Sequence, residues 1–529
     1  MYGQVWILAF AGVTLTFPRA GARQAGPPFN PTLLRICDPA AMSLAAPVAH
    51  PSQARTAALS YEAAPLWLAV AVFALCAFAP AVLNDGDTWS HVATGDWILG
   101  HRAIPHVDPF SFSFAGAPWT AHEWLSEALL ALAHRAAGWG GVVLLTGAAA
   151  AAATFVVARR AARALTGPAL IALMLLSLGL MSGGLLARPH VLALPVLALW
   201  ADQLFAARER DRAPPLAAAA LMILWANLHG GFAFGLALIG PFALEAIWMA
   251  PAERRVAVFR DWALFGVASF GAALITPFGI EGLLFPLKLT QLAYLAQVKE
   301  WQPENFTHPG PLEYAVLGLI GLALVKPLRL APMRVLLLLG LIHLSLQHTR
   351  HEMLLAILAP MLLARPMAEA LDAGAGSTAR VGRGAKIVAF ALVLVLIDAR
   401  FVAPIFRGDS ATAPMRALAA VPAGLREKPV LNNYAFGGYL IYAHLRPFID
   451  GRADMFGDSF LSQYARILAG EPQAVDEALK RYDIAWTIFA PGQRAVATMD
   501  HEPGWRRLYT DGWAVVHVRD GAAAELRGD

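Results

Sequence analysis

One short segment carries several of the residues that could do chemistry. Residues 83–113, LNDGDTWSHVATGDWILGHRAIPHVDPFSFS, contain four aspartates, three histidines and two tryptophans. Asp85 and Asp87 flank a glycine. Both carboxylates could therefore bind one divalent cation such as Mg²⁺ or Mn²⁺, or one could act as a general base while the other positions it. We predict that Asp85 and Asp87 are the catalytic acids and, in the metal alternative, the metal ligands.

The acidic pair is followed by a predicted helix that runs from about residue 88 to residue 99. Asp87 and His91 are four residues apart and therefore share one face of this helix. Trp89 and Trp97 recur on another face. We expect that face to lie on a membrane surface, where aromatic rings prefer the interface.

A second helix is predicted to begin near WTAHEW, residues 119–124. Thr120 and Glu123 have the T-x-x-E spacing of a capping box, in which the glutamate binds a backbone N–H. Glu123 is therefore either a helix cap or a further acid of the site, and its spacing does not decide between them. His122 lies beside it.

Arginine and histidine residues at the ends of other apolar segments complete the predicted site. Arg188 and Arg350 are natural phosphate ligands, because a guanidinium stays charged and offers paired donors. The alternative for each is an arginine that extends its charged group to the membrane surface. The histidines predicted to bind the substrate or its phosphate with these arginines are His91, His122, His190, His229, His348 and His351.

The composition of the chain is that of a membrane protein. Of its 529 residues, 58% are hydrophobic and only 15% are charged, whereas soluble domains have about 25% charged residues. The formal net charge of +4 does not suggest a protein that binds nucleic acid. Two cysteines, Cys37 and Cys76, allow neither a disulfide framework nor a CxxC metal site.

About eleven segments are apolar and long enough to be candidate transmembrane helices. They lie near residues 65–83, 139–157, 166–186, 190–206, 214–228, 231–249, 261–277, 312–325, 333–346, 353–364 and 387–404. One alternating set of loops contains sixteen lysines and arginines, and the other set contains six. Because positive residues are retained in the cytoplasm, we predict a cytoplasmic N-terminus. The loop at residues 84–138 and the C-terminal tail would then lie outside.

The two ends of the chain differ from this central region, residues 61–404. Residues 1–60 are rich in Pro, Ala and Arg, and we expect a disordered extension or an incorrectly assigned start. Residues 405–529 alternate short predicted strands (KPVLNNY, RPFID, AWTIFA, RRLYTD, AVVHV) with predicted helices (SQYARILAG, AVDEALKRYD). This alternation predicts a small α/β domain.

The first loop resembles that of GT-C integral membrane glycosyltransferases, and especially the catalytic subunits of oligosaccharyltransferases. The matching positions are Asp87, Trp89, Ala93, Thr94, His101, Asp108, Pro109 and Phe110. The tail also resembles bacterial membrane proteins that share FGGYLIY (436–442) and DGRADMF (450–456). The resemblance implies a polytopic α-helical protein with a long first external loop of amphipathic helices and an external C-terminal α/β domain.

The resemblance further implies inverting transfer of a sugar from a polyprenyl-phosphate donor to an acceptor on the outer face of a bacterial inner membrane. Asp87, with Asp85, would be the acid of the loop, which serves as base or holds a metal ion, and Asp108 would be its second acid. The tail has no WWD-type acceptor motif. We therefore expect transfer of a single sugar rather than glycosylation of asparagine sequons.

Other functions also fit parts of the pattern. A transporter or flippase of a lipid-linked or small anionic substrate would place ionisable groups near the middle of the membrane. The acids inside the apolar segments, Asp202, Glu245 and Asp398, lie nearer their ends. His348 and His351 have a spacing that suits a metal site on a helix, without an identified carboxylate. A non-catalytic membrane scaffold that presents the tail is a further alternative.

Overall fold

A computed structural model describes residues 62–373 and 381–521. The extension predicted at residues 1–60 lies outside the described residues. Each of the eleven predicted apolar segments coincides with a helix. Two further helices, α2 and α9, lie in loops between these segments. In chain order, the α-helices before the tail are α1 (Ala64–Phe78), α2 (Asp87–His101), α3 (Trp124–Ala161), α4 (Gly167–Ser182), α5 (Pro189–Glu209), α6 (Ala220–Leu228), α7 (Phe232–Met249), α8 (Arg255–Ala273), α9 (Gly279–Leu289), α10 (Pro311–Val325), α11 (Pro332–Gln347), α12 (Glu352–Ala370) and α13 (Arg383–Val402).

Five helical segments in the described part of the chain are long and apolar enough to cross a membrane. They contain α3, α5, α7, α8 and α12, the last two with the short turns that precede them. Five other apolar helical segments have 10–17 residues. The protein is therefore a multi-pass membrane protein, and the total of eleven crossings stays a prediction.

Helix α3 belongs to two parts of the fold because it bends sharply. Its backbone leaves helical geometry at Ala137 and Gly138, and Gly138 has a φ of 56°. Glycine adopts this left-handed conformation without the penalty that a Cβ atom brings. The first part of α3, from Trp124, therefore packs against α2, while the part after the bend joins the helical bundle.

The arginines assigned to one set of loops meet acids at one end of the bundle. Arg160 lies 2.7 Å from Asp202, and Arg334 donates to Glu245 at 3.1 Å. The guanidinium groups of Arg160 and Arg334 both lie over the ring of Phe205. The grouping of these loops on one side, which the charge pattern predicted, agrees with these contacts.

The tail contains a four-stranded mixed sheet of order β1–β2–β4–β3. Its strands are β1 (Val430–Asn432), β2 (Trp486–Phe489), β3 (Trp505–Thr510) and β4 (Val515–Arg519). β1 and β2 pair in parallel, and the other pairs are antiparallel. The accompanying helices are α14 (Met415–Ala420), α15 (Ala423–Arg426), α16 (Gly437–Tyr442), α17 (Ala453–Leu468), α18 (Pro472–Arg481) and α19 (Arg494–Asp500). The small α/β unit is present as predicted.

The strand predicted at RPFID, residues 446–450, was wrong. Pro447 forms only an isolated bridge with Val430. The side chain of Asn432, itself buried, accepts from the backbone of Phe448 at 2.7 Å and donates to the carbonyl of Ile449 at 2.8 Å. This side chain satisfies the buried backbone that a neighbouring strand would otherwise satisfy.

The tail packs directly on the first loop (residues 84–138). Helix α16 lies on α2, and a Cβ atom added to Gly438 would lie 2.5 Å from the carbonyl oxygen of Gly86. The backbone N–H of Phe112 donates to the carbonyl of Pro447 at 3.2 Å. Gly438 of FGGYLIY is therefore explained by the close approach of the tail to the first loop, whereas Gly437 lies against the backbone of Ile449 within the tail.

The predicted position of Trp89 on the membrane surface was also wrong. Its side chain is buried and packs edge-on against Trp139 and Tyr442, with ring centroids 4.6 and 4.8 Å away. The guanidinium of Arg407 lies 3.8 Å from the centre of its ring. Trp89 therefore contacts the helical bundle through Trp139 and the tail through Tyr442 and Arg407.

Candidate active site

Arg188 lies against the predicted catalytic acids. It precedes Pro189, the first residue of α5. Its Nη2 is 2.8 Å from Asp87 Oδ2, and its Nη1 is 3.7 Å from Asp85 Oδ2. The second oxygen of Asp85 accepts from the backbone N–H of Asp87 at 2.8 Å, which fixes the start of α2. The structure thus brings Arg188 to an acidic pair that lies about one hundred positions earlier in the sequence.

Glu300 is a member of this group to which the sequence analysis assigned no role. It lies in a short 3₁₀ turn, Lys299–Trp301, and accepts a 3.0 Å hydrogen bond from Arg188 Nη1. Arg350 Nη1 lies 3.8 Å from its other oxygen. The Arg350 guanidinium also stacks 4.2 Å above the ring of Trp301. The only sequence signal for Glu300 was its place in a loop on the predicted outer side.

Hydrogen bonds join the turn that contains Glu300 to the turn that contains Arg350. The backbone N–H of Thr349 donates to the carbonyl of Gln302 at 3.2 Å, and His348 Nδ1 is 2.6 Å from the carbonyl of Trp301. His351 lies in the adjacent 3₁₀ turn, with Nδ1 3.2 Å from the carbonyl of Leu344. Both histidines therefore form a hydrogen bond between a ring nitrogen and a backbone carbonyl, and these bonds stabilise the turn that contains Arg350.

Glu123 does not form the predicted capping box. Helix α3 begins at Trp124, and no side-chain hydrogen bond caps it. Thr120 instead donates to Glu281 at 3.1 Å. The Glu123 carboxylate is 3.5 Å from His229 Nε2 and 3.7 Å from His122 Nε2. Glu123 therefore does not cap the helix, and its carboxylate faces the two histidines instead.

The histidines around Glu123 are oriented by their surroundings. His229 Nδ1 accepts from the backbone of Gly231 at 3.0 Å, so its neutral form carries the proton on Nε2, which is directed at Glu123. The His122 ring stacks on Phe285 with centroids 4.0 Å apart. His190 lies 6.1 Å from His229 and bonds to the carbonyl of Gly184.

A buried pair links α2 and α3 beside this group. His91 Nδ1 lies 3.2 Å from Glu127 Oε1, and both side chains are largely buried. Glu127 Oε2 has no hydrogen-bond partner among the described residues. Gly95 permits the contact of the two helices, because a Cβ atom there would collide with the backbone of Glu127.

Asp108, the predicted second acid, lies in the contact between the first loop and the tail. It is 2% exposed and accepts from Ser111 and from the backbone of Phe110. Arg452 of DGRADMF donates to it at 2.7 Å and to Asp450 at 2.6 Å. Asp108 is thus fully engaged by hydrogen bonds that hold two parts of the fold together.

The same tail motif reaches the acidic group. Gly451 leaves no room for a Cβ atom against the carboxylate of Asp87. Asp454 is close enough to His122 to counteract the lowering of that imidazole pKa. Burial raises the pKa of Asp454 itself. The tail therefore forms one wall of the site.

Burial and charge shift the pKa values of the central groups. Burial raises the pKa of Asp87 to about 6, although Arg188 opposes the shift. Burial also raises the pKa of Glu123. Burial opposes ionisation of Glu300, but Arg188 and Arg350 hold its pKa below the usual value. Asp87 is therefore a stronger base than an ordinary aspartate.

The imidazoles are shifted in two directions. Burial lowers the pKa of His229 and that of His122. Burial acts in the same direction on His91, but its hydrogen bond to Glu127 and the nearby carboxylates bring its pKa above the ordinary value. Of these three imidazoles, that of His91 favours the protonated form and those of His229 and His122 favour the neutral form.

The residues do not fit the predicted metal site. Across the described residues, no group of three His, Cys, Asp or Glu side chains is arranged to hold a metal ion. The oxygens of Asp87 and Glu300 that converge are directed at Arg188. His348 and His351 each use a ring nitrogen on a backbone carbonyl.

The fold is similar to that of an archaeal oligosaccharyltransferase, as the resemblance of the first loop implied. The chain is similar to an oligosaccharyltransferase of Archaeoglobus fulgidus, AglB, solved with an inhibitory peptide and a dolichol-phosphate, with a TM-score of 0.52, 12% identity, and coverage of 81% of this chain and 69% of that one. Other structures of the A. fulgidus enzyme match at TM-scores of 0.47 in the apo form and 0.46 with a tethered acceptor peptide. Their identities are 12% and 13%, and they cover 81% of this chain with 69% and 68% of theirs. No protein-family model and no curated protein matches the sequence.

Proposed function

We propose that the protein is an inverting membrane glycosyltransferase. It moves a sugar from a polyprenyl-phosphate-linked donor to an acceptor on the outer face of the bacterial inner membrane. The observation that carries this proposal is the contact of Arg188 with Asp87 at 2.8 Å, at the end of the bundle. A carboxylate base and a fixed guanidinium are the two groups that displacement of a sugar phosphate requires.

In the proposed reaction Asp87 is the general base. Its carboxylate takes the proton of the acceptor hydroxyl while the acceptor oxygen forms a bond to the anomeric carbon. The bond between that carbon and the phosphate oxygen breaks on the opposite side. The polyprenyl phosphate leaves with the electron pair, so the configuration inverts.

Arg188 and Arg350 are the proposed ligands of the departing phosphate. Both guanidinium groups are held by Glu300, and Arg350 is additionally stacked on Trp301. An arginine that is already oriented loses less conformational entropy when it binds an anion. Glu300 therefore acts as a positioning residue for both cations.

The remaining acids serve other proposed purposes. Glu123, with His229 and His122, borders the side of the site next to Asp454 and would bind the acceptor. The His91–Glu127 pair would hold α2 and α3 together beside the site. Asp108 is proposed to be structural, because Arg452 and Ser111 bind its oxygens in the contact with the tail.

The pairing of acids inside the bundle favours an enzyme over a transporter. A transporter site near the middle of the membrane needs ionisable groups that can bind and release a substrate. Asp202 and Glu245 are instead paired with Arg160 and Arg334 at one end of the bundle. Both acids form ion pairs with neighbouring arginines, and they lie at the end of the bundle opposite Asp87.

The proposal is tested by mass spectrometry of polyprenyl-linked sugars and surface glycans in a deletion strain. We expect the sugar-loaded polyprenyl phosphate to accumulate and one glycan to lose a sugar. A plasmid with the intact gene should reverse both changes. If lipid-linked sugars and glycans are unchanged by deletion, the proposed function is wrong.

A further inference from the structure

The centre of the site already contains a cation. Asp85, Asp87 and Glu300 surround the Arg188 guanidinium at 3.7, 2.8 and 3.0 Å. Acidic clusters in proteins often bind a divalent ion, whose charge offsets the repulsion of the carboxylates. Here a side chain of the protein supplies that charge.

Arg188 is held in this place by its own backbone. The N–H of the preceding residue, Ala187, donates to the carbonyl of Val82 at 2.8 Å. This bond ties the start of α5 to the chain just before Asp85. Pro189 then fixes the first turn of the helix. The guanidinium is therefore directed at the acids by a restrained segment.

A divalent ion would have to displace this guanidinium. Mg²⁺ requires about six oxygen ligands at about 2.1 Å. One oxygen of Asp85 already accepts from the backbone of Asp87, and the oxygens nearest the centre face Arg188. Separating this largely buried arginine from its carboxylate partners is unfavourable, because it removes the charge that compensates them.

We propose that Arg188 is the resident cation of this site and that it replaces the divalent ion expected from the acidic pair. This inference rests on the proposed function. Arg188 neutralises and aligns Asp85, Asp87 and Glu300, and the enzyme then works without Mg²⁺ or Mn²⁺.

Arg188 retains capacity for the substrate. A guanidinium has five N–H donors, and Arg188 directs Nη1 at Glu300 and Nη2 at Asp87. Its remaining donors, with those of Arg350, are available to the phosphate of the donor. Burial opposes the charge of Arg188, but Asp85 and Asp87 raise its pKa well above the ordinary value, so it stays charged.

The first experiment measures Mn²⁺ binding by electron paramagnetic resonance on the full-length protein in detergent. We expect the wild-type protein to take up no more Mn²⁺ than the Asp87→Asn variant. One Mn²⁺ per chain that is lost in Asp87→Asn would overturn the inference. This measurement needs no knowledge of the sugar or the acceptor.

The second experiment measures binding of undecaprenyl phosphate to the protein in nanodiscs, with and without EDTA. We expect the same affinity in both conditions and about tenfold or more weaker binding in Arg188→Gln, because a charge-assisted bond is lost. Binding that disappears with EDTA and returns with Mg²⁺ would contradict the role of Arg188. If undecaprenyl phosphate does not bind in either condition, the proposed function fails, and the Mn²⁺ measurement still decides the inference.

Chemical rescue separates a cationic role from a structural one. Added guanidinium should restore undecaprenyl phosphate binding to Arg188→Ala, whereas Mg²⁺ should not. Rescue by Mg²⁺ alone would show that a metal ion belongs in the site. If Arg188→Ala cannot be purified in folded form, the Mn²⁺ and EDTA measurements on the wild-type protein remain decisive.

Discussion

Arg452 of the tail donates to Asp108 of the first loop at 2.7 Å, across 344 positions of sequence. The guanidinium also binds Asp450 and lies over the ring of Trp119 at 4.7 Å. The guanidinium of Arg452 is therefore surrounded by groups from both the first loop and the tail. This one residue explains why DGRADMF accompanies an acidic first loop: the motif fastens the wall that carries Gly451 and Asp454 to the site.

Replacing Arg452 should therefore destabilise the protein. Arg452→Ala leaves Asp108 and Asp450 buried without their cation, and the loss of one partner from a buried pair costs about 3–5 kcal/mol. We expect a clearly lower melting temperature, measured by tryptophan fluorescence of the purified protein. Arg466→Ala is the matched control, since its partner Glu471 and Arg466 itself are about half exposed. Equal melting temperatures for the two variants would show that the contacts of Arg452 with Asp108 and Asp450 do not stabilise the protein.

The contact between α16 and α2 should not tolerate a methyl group. In Gly438→Ala the new Cβ would lie 2.5 Å from the carbonyl oxygen of Gly86, and such overpacking costs about 1–3 kcal/mol. Gly492→Ala is the control, because no atom lies within 4 Å of its added Cβ. We expect faster proteolytic release of the tail in Gly438→Ala only. Identical digestion patterns would show that the tail does not dock there.

Asp458 should hold the loop that leads to Glu300. Its carboxylate accepts from the backbone N–H groups of Ala293 and Tyr294 at 3.0 and 2.9 Å. Asp458→Asn removes the charge and one acceptor, so we expect faster hydrogen exchange in residues 293–301 with little change in the tail sheet. The exposed Asp476, which pairs with Lys480, provides the control Asp476→Asn. Unchanged exchange in this loop would show that Asp458 does not restrain it.

The reaction rate should depend on pH through Asp87. Its pKa is raised to about 6, mainly by burial, so its carboxylate form predominates above that pH and is lost below it. The charged groups that face it are Arg188, Asp85, His91 and Glu300. Tyr434 of the tail interacts with it as well. We expect transfer to fall as the pH drops through about 6. A rate that is constant across this range would exclude Asp87 as the base.

The sequence indicated in part which polar residues lie together, because charge is expensive at the ends of apolar helices. Asp85, Asp87, Arg188 and Arg350 all lie at such ends, and the structure brings them together around Glu300. Local patterns also predicted the four strands and the two longest helices of the tail correctly. A fifth predicted strand, at residues 446–450, is absent from the sheet.

Other features depend on contacts that no local pattern contains. The spacing of Thr120 and Glu123 suggested a cap, but Glu281 from a distant helix takes the threonine hydroxyl. Asp108 was predicted as a second acid from the resemblance of the first loop, and its partner Arg452 follows hundreds of residues later. Trp89 had the spacing of an interfacial aromatic residue, yet Arg407 and the tail cover it. In each case a tertiary partner overrides the local preference.

The most direct test of the central proposal is complementation of the deletion strain with Asp87→Asn, followed by mass spectrometry of polyprenyl-linked sugars. Asparagine keeps the size of the side chain but cannot take a proton, so the sugar-loaded lipid should stay accumulated while the variant inserts at wild-type levels. A variant that restores the lipid pool and the glycans as fully as the wild type would contradict the assignment of Asp87 as the base.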